Sequence, residues 1–223
     1  MIISHKYKFI FIKTRKTAGT TIEYNISKYL GKNDIIPPSN QSVYLSQNFI
    51  YDTKISKFLK KVKLNKISRI FENKFSEHEH AFDLKKKIDR NFFDSYFKFC
   101  VEREPVDKCI SYYFMRKNSS TSTTIKQNMT WDDFVQKKRF PIDSNMYSFG
   151  NKLLVDKIIK YENLENELTA ILKDRGINNF KIEKSVNNSS RGVDPEVTLK
   201  QKKIIYDSFK SSLRFIHYYK FII

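Results

Sequence analysis

Two periods of apolar residues alternate along this chain. Tyr7 to Ile12 is an apolar run of strand length, and after it Ile22, Ile26, Tyr29 and Leu30 fall on one helical face with Gly31 as the stop. Tyr96 to Val101 predicts a second strand. Glu104-Pro105 then opens a helix, with the proline suited to its first position and Val106, Cys109, Ile110 and Tyr113 as its buried stripe. Leu153 to Tyr161 predicts a third strand, followed by a helix carrying Leu164, Leu168, Ile171 and Leu172 between Asn163 and Gly176. Helical spacing also marks 55–75 on a lysine-rich background, Asp83 to Phe93, a short stretch behind the capping signal Thr130 to Asp133, and Pro195 to about Phe209. Asp34 to Asn40, 118–124, Pro141 to Gly150 and 184–192 are polar and read as loops. Strands that alternate with helices predict an α/β fold.

Length adds that the 223 residues form one domain, 1–223, with a core that needs no staples. Cys100 and Cys109 sit in apolar patterns and read as buried thiols. No run reaches the roughly 18 apolar residues of a membrane span. The first strand starts close to Met1, so a cytoplasmic location is expected. The net charge of +18 invites a nucleic-acid partner. Most of that charge, however, is lysine scattered through an Ile-, Asn- and Lys-rich chain, which is the pattern of a solvated surface. No nucleic-acid partner is expected, and the charge acts as steering for acidic ligands. Arginine is scarce, so Arg15, Arg103 and Arg191 are more informative than any lysine.

Candidate chemistry concentrates in Lys16-Thr17-Ala18-Gly19-Thr20-Thr21, between the first strand and its helix. Strand, tight loop and helix build an anion site, because loop N–H groups and the positive helix end converge on one spot. The lysine precedes the glycine, so this is not the G-x-x-x-x-G-K-[ST] loop. A second such arrangement follows the second strand, where Arg103 can grip a phosphate with two parallel hydrogen bonds and Ser111 can add a hydroxyl. His78 and His80 stand two apart, which excludes a shared helix face and the H-x-x-x-H zinc pattern. With no cysteine nearby, no metal site is expected, and the alternatives are a general base or two loop histidines.

These stretches together resemble the sulfotransferases that use 3′-phosphoadenosine 5′-phosphosulfate (PAPS), in particular the carbohydrate-type group with small bacterial and viral members. The resemblance runs from about Tyr7 to Tyr219. It rests on Phe9 to Thr21, on Phe97 to Pro105 with Ser111-Tyr112-Tyr113, on His78 to Leu84, on Lys160 to Leu164 and on Lys184 to Gly192. Two positions depart from the family pattern: Arg15 stands where proline is common, and Glu102 where many members are apolar. The resemblance implies a P-loop-NTPase-like fold, a central parallel β-sheet flanked by helices on both faces, with ligand at the carboxyl ends of the strands. It implies PAPS as donor, 3′-phosphoadenosine 5′-phosphate (PAP) as product, no metal, and a glycan hydroxyl as acceptor. Residues Arg15 to Thr21, that is Arg15, Lys16, Thr17, Ala18, Gly19, Thr20 and Thr21, would surround the 5′-phosphate, with Lys16 at the bridging oxygen. Arg103 and Ser111 would bind the 3′-phosphate and Arg191 would cover it. His78 would take the acceptor proton, with His80 or a neighbouring glutamate as rival.

Two other readings remain open on the residues alone. A P-loop-like nucleotide kinase or hydrolase would need a magnesium-binding aspartate, for which Asp156 is the tempting residue. A non-catalytic basic module for nucleic acid or a polyanion would give no role to the motifs at Lys16 and Arg103. The oligomeric state is not legible.

Overall fold

The computed structural model describes residues 1–37, 75–119, 128–183 and 191–216. The basic helix expected at 55–75 lies outside them apart from Phe75, as do 120–127, 184–190 and 217–223.

Four strands form the main sheet: β1 (Ile2–Ser4), β2 (Phe9–Ile12), β3 (Phe97–Glu102) and, after a small β4–β5 ladder of Ser148–Phe149 and Lys152–Leu153, β6 (Lys157–Lys160). The order is β1-β2-β3-β6. β2, β3 and β6 run parallel, and β1 is an antiparallel edge strand. The helices are α1 (Gly19–Ser27), α2 (Ala81–Lys87), α3 (Arg90–Ser95), α4 (Pro105–Lys117), α5 (Trp131–Gln136), α6 (Ser144–Tyr147), α7 (Leu164–Asp174), α8 (Leu199–Ser208) and α9 (Lys210–Leu213). The fold is α/β, a mostly parallel sheet with helices on both faces, as the sequence predicts.

The alternation along each strand decides which helices cover which face. Phe9, Phe11, Phe99, Val101 and Ile159 face one way and pack against Ile22 and Ile26 of α1 and Leu164, Leu168 and Leu172 of α7. Ile10, Ile12 and Cys100 face the other way, toward Ala81 and Leu84 of α2, Phe93 of α3 and Met146 and Tyr147 of α6. Both sets are apolar, which is why these strands read as continuous runs. A third cluster joins Cys109, Ile110 and Tyr113 of α4 to Trp131 and Phe134 of α5 and Ile205 of α8.

Several boundaries differ from expectation. α8 begins at Leu199 rather than Pro195, because Thr198 and Gln201 form a reciprocal capping box. The helix expected over Asp83 to Phe93 is two, since Ile88 is extended and Asp89 caps a new start through the Asn91 N–H. The strand expected from Leu153 is confined to β5 and β6, and the loop expected at 141–150 contains α6 and β4. The edge strand β1 lies before the first strand the pattern predicts. Among the described residues, no helix is long and apolar enough to cross a membrane.

Phe99 is fully buried between the rings of Phe9 and Phe11, with centroids 5.8 and 5.3 Å away. Phe99→Ala is expected to lower folding stability by about 3–5 kcal/mol in urea unfolding; a loss under about 1 kcal/mol would contradict this packing.

Candidate active site

The parallel register pairs Ile12 with Cys100, so the segments after β2 and β3 leave the same edge of the sheet together. Thr14 continues β2 and donates its hydroxyl to the carbonyl of Val101 in β3. The Thr17 hydroxyl lies 2.9 Å from that of Thr14 and donates to the Thr14 carbonyl at 3.1 Å. Thr17 thus faces inward and holds the loop, and its hydroxyl is not turned toward a ligand. Lys16 and Ala18 have φ of 60° and 59°, a left-handed backbone that disfavours side chains by about 1 kcal/mol each. Surrounding contacts must hold such a shape. Gly19, where α1 begins, is required first by the chain itself: a Cβ there would sit 2.6 Å from Cγ and 2.8 Å from Cε of Lys13. Lys13 cannot swing aside, because its ammonium pairs with Glu23 at 2.6 Å and with Glu77.

Lys16 is half-buried, and among the described residues its ammonium has no acceptor. Burial, and then the charge of Arg103, hold its pKa below the ordinary lysine value. Arg103 approaches because Nη1 donates to the Lys16 carbonyl at 3.3 Å. Its guanidinium stacks on the Tyr161 ring, 4.2 Å from the centroid, and Nε is taken by Asp107. The other Asp107 oxygen pairs with Arg191 at 2.9 Å, so a single carboxylate gathers Arg103 and Arg191. Asp194 takes the remaining face of Arg191 at 2.6 Å. Ser111 lies one turn beyond Asp107 on the same helix face and is buried; among the described residues its hydroxyl has no hydrogen-bond partner. Glu104 caps α4 by accepting the N–H groups of Val106 and Asp107, with Pro105 at the first position as predicted.

His78 meets the chain just before the Lys16 loop. Its Nδ1 lies 2.8 Å from the Lys13 carbonyl, which can only accept. Nδ1 therefore carries the proton, and Nε2 is left with a lone pair. Both neighbouring glutamates are occupied by lysines: Glu77 by Lys13, and Glu79 by Lys87 at 2.9 Å. His80 is the cap residue of α2 and makes no side-chain capping bond. Among the described residues, no group of three or more His, Cys, Asp or Glu side chains is arranged to hold a metal ion.

A sequence model described as "Sulfotransferase family" matches residues 1–193. The chain belongs to the sulfotransferase family. Its members transfer sulfuryl groups, so this chain is a transferase of that class. An "Uncharacterized protein" of Archaeoglobus fulgidus is 30% identical over 103 residues, which is 44% of this chain and 82% of that protein. No solved structure matches the chain.

In this sulfotransferase the two departures from the family pattern are the ends of one buried chain of charges. Arg15 donates from Nε to Asp143 at 2.6 Å and from Nη2 to the Ile142 carbonyl at 2.9 Å. Asp143 also takes the Lys108 ammonium at 2.9 Å, and Lys108 reaches Glu102 at 2.7 Å. The signs alternate, Arg15⁺, Asp143⁻, Lys108⁺, Glu102⁻, and the last three are essentially sealed from solvent. Burial works against the Lys108 charge, but the two carboxylates outweigh it and raise its pKa. Burial raises the Glu102 pKa, and Lys108 offsets only part of that rise. Arg15 is therefore a tie between loop and core, not a side chain aimed at the anion site. Asp107, Lys108, Asp143 and Tyr161 had no assigned role in the sequence. Asp107 left a signal in its i,i+4 spacing from Arg103, and Tyr161 stood in the Lys160 to Leu164 segment.

Asp156, the aspartate a kinase reading would need, accepts the Lys98 N–H at 2.7 Å near the start of β3. Lys98 to Arg103 spans roughly 15 Å of strand, so Asp156 lies at the opposite end of the sheet from Lys16.

Lys16 is expected to react with an acylating reagent at lower pH than the surface lysines. Arg103→Gln, which removes the neighbouring positive charge, should move its midpoint upward. Mass-spectrometric labelling across pH checks this, and a Lys16 that titrates with the surface lysines would show that its charge is not squeezed as described.

Proposed function

We propose that the chain transfers the sulfuryl group of PAPS to an acceptor hydroxyl on a carbohydrate. The observation that carries this reading is the pair of cations at adjoining strand ends. Lys16 lacks an acceptor among the described residues, and Arg103 is one carbonyl away. A ligand with anionic groups at two ends fits such a pair, and the donor set of lysine, arginines and hydroxyls suits phosphate. Lys16 and the first-turn N–H groups of α1 would hold the 5′-phosphate. Arg103, Ser111 and Arg191 would hold the 3′-phosphate. PAPS supplies an activated sulfuryl group whose transfer needs positioning and charge stabilisation more than covalent help. Lys16 neutralises charge on the departing phosphate. His78 accepts the acceptor hydroxyl's proton at Nε2, the nitrogen its hydrogen bond to Lys13 leaves free. The carbohydrate acceptor is supported by the family resemblance and by Phe149, exposed and stacked on Phe82 with centroids 4.3 Å apart, two residues beyond His80.

Calorimetry should find PAP bound more tightly than AMP. Arg103→Ala should reduce that preference by about 10- to 100-fold, the worth of hydrogen bonds to a charged group. Equal affinity of the wild type for both ligands would defeat the PAPS reading. His78→Ala should bind PAP normally and transfer sulfate about 10²–10⁴-fold more slowly. An unchanged rate would remove the histidine from the chemistry.

A further inference from the structure

Asp143 belongs to none of the sequence motifs, yet it is fully buried and touches both halves of the anion site. On the loop side it accepts the backbone N–H of Arg15 at 2.7 Å and the Arg15 Nε at 2.6 Å. On the helix side it accepts the Lys108 ammonium at 2.9 Å. Arg15 immediately precedes Lys16, whose φ of 60° needs external support. Lys108 follows Asp107, the carboxylate that gathers Arg103 and Arg191. The Lys16 kink is thus held from two directions, by Asp143 at the N–H before it and by Arg103 at its carbonyl. Glu102, beside Arg103 in the chain, closes the network through Lys108 at 2.7 Å.

We propose that Asp143 is a positioning residue that fixes the separation of the Lys16 loop from α4 and the Arg103 turn that leads into it, and so sets how much more tightly the enzyme grips a ligand with a phosphate at each end than one with a single phosphate. This rests on the PAPS reading above. The second contact of a two-ended ligand is gained at high effective concentration only when the two sites are held at the matching distance. If the loop drifts relative to the helix, each set of donors still binds its own phosphate, and only the joint advantage is lost. The spacing therefore acts on the difference between ligands, whereas a merely structural aspartate would weaken all of them together.

The test is calorimetric binding of PAP, AMP and adenosine 3′-phosphate to the full chain and to two variants. Asp143→Asn keeps the volume and one oxygen but loses the charge that joins Arg15 to Lys108. The double variant Glu102→Gln/Lys108→Met cuts the tie to α4 without stranding a lone buried charge, a change that buried ion pairs tolerate. It decides the matter if Asp143→Asn fails to fold. In either folded variant PAP affinity should fall about tenfold or more, while each monophosphate changes by less than about threefold. Equal losses for all three ligands, or an unchanged PAP affinity, would overturn the proposal. A wild type that binds PAP no better than AMP would instead sink the PAPS reading, and this inference with it; a wild type with the preference and variants that keep it would sink this inference alone.

Discussion

The parallel pairing of β2 with β3 is the constraint on which the rest of the structure depends. Its register sets Ile12 beside Cys100, so Lys16 and Arg103 emerge at the same edge. A shift of one residue would turn Phe9 and Phe11 away from Phe99 and bury the wrong face of each strand. The same packing that keeps the aromatic ladder dry therefore brings two cations together. Like charges at that distance repel, and what makes their meeting tolerable is the backbone between them: Arg103 spends one nitrogen on the Lys16 carbonyl and another on Asp107. Burial first, and then the repulsion that remains, hold the Lys16 pKa down. An anion placed there relieves that repulsion.

Behind the site, charge is organised in closed alternating groups. Lys108 between Glu102 and Asp143 is almost completely dehydrated, and removing Lys108 alone would leave the Glu102 carboxylate buried without its counter-charge. Such groups add little net stability compared with apolar packing, but they are directional, and they join elements remote in sequence. Asp143 meets Arg15 across 128 residues. Lys13 does the same on the other side: its ammonium holds Glu77 while its carbonyl orients His78. Thus one lysine before the loop fixes the candidate base, and one arginine within the loop fixes the loop itself.

Local order determined much of this protein from the sequence alone. The strands at Phe9–Ile12 and Phe97–Glu102, the capped start of α4 at Glu104-Pro105, and the stripe of Leu164, Leu168 and Leu172 are legible because burial on a strand or a helix imposes a period. The candidate residues Lys16, Gly19, Arg103 and Ser111 stood out in the sequence for a related reason: a strand-to-helix turn uses neighbours in the chain, so they sit within short motifs. Where the boundaries slipped, a local bond had outcompeted the pattern, as the Thr198–Gln201 box did over Pro195.

Tertiary structure alone decided what each of those residues does. Thr17, Gly19 and Arg15 all read as parts of the phosphate loop, but Thr17 turns inward to Thr14, Gly19 makes room for Lys13 and the Arg15 side chain is bound to Asp143. The physical reason is common to all three. A side chain's partner is set by what the fold brings within about 3 Å of it. Asp143, Lys108 and the stem of Lys13 come from elements whose meeting is fixed by sheet register and helix packing, not by any spacing that can be read along the chain.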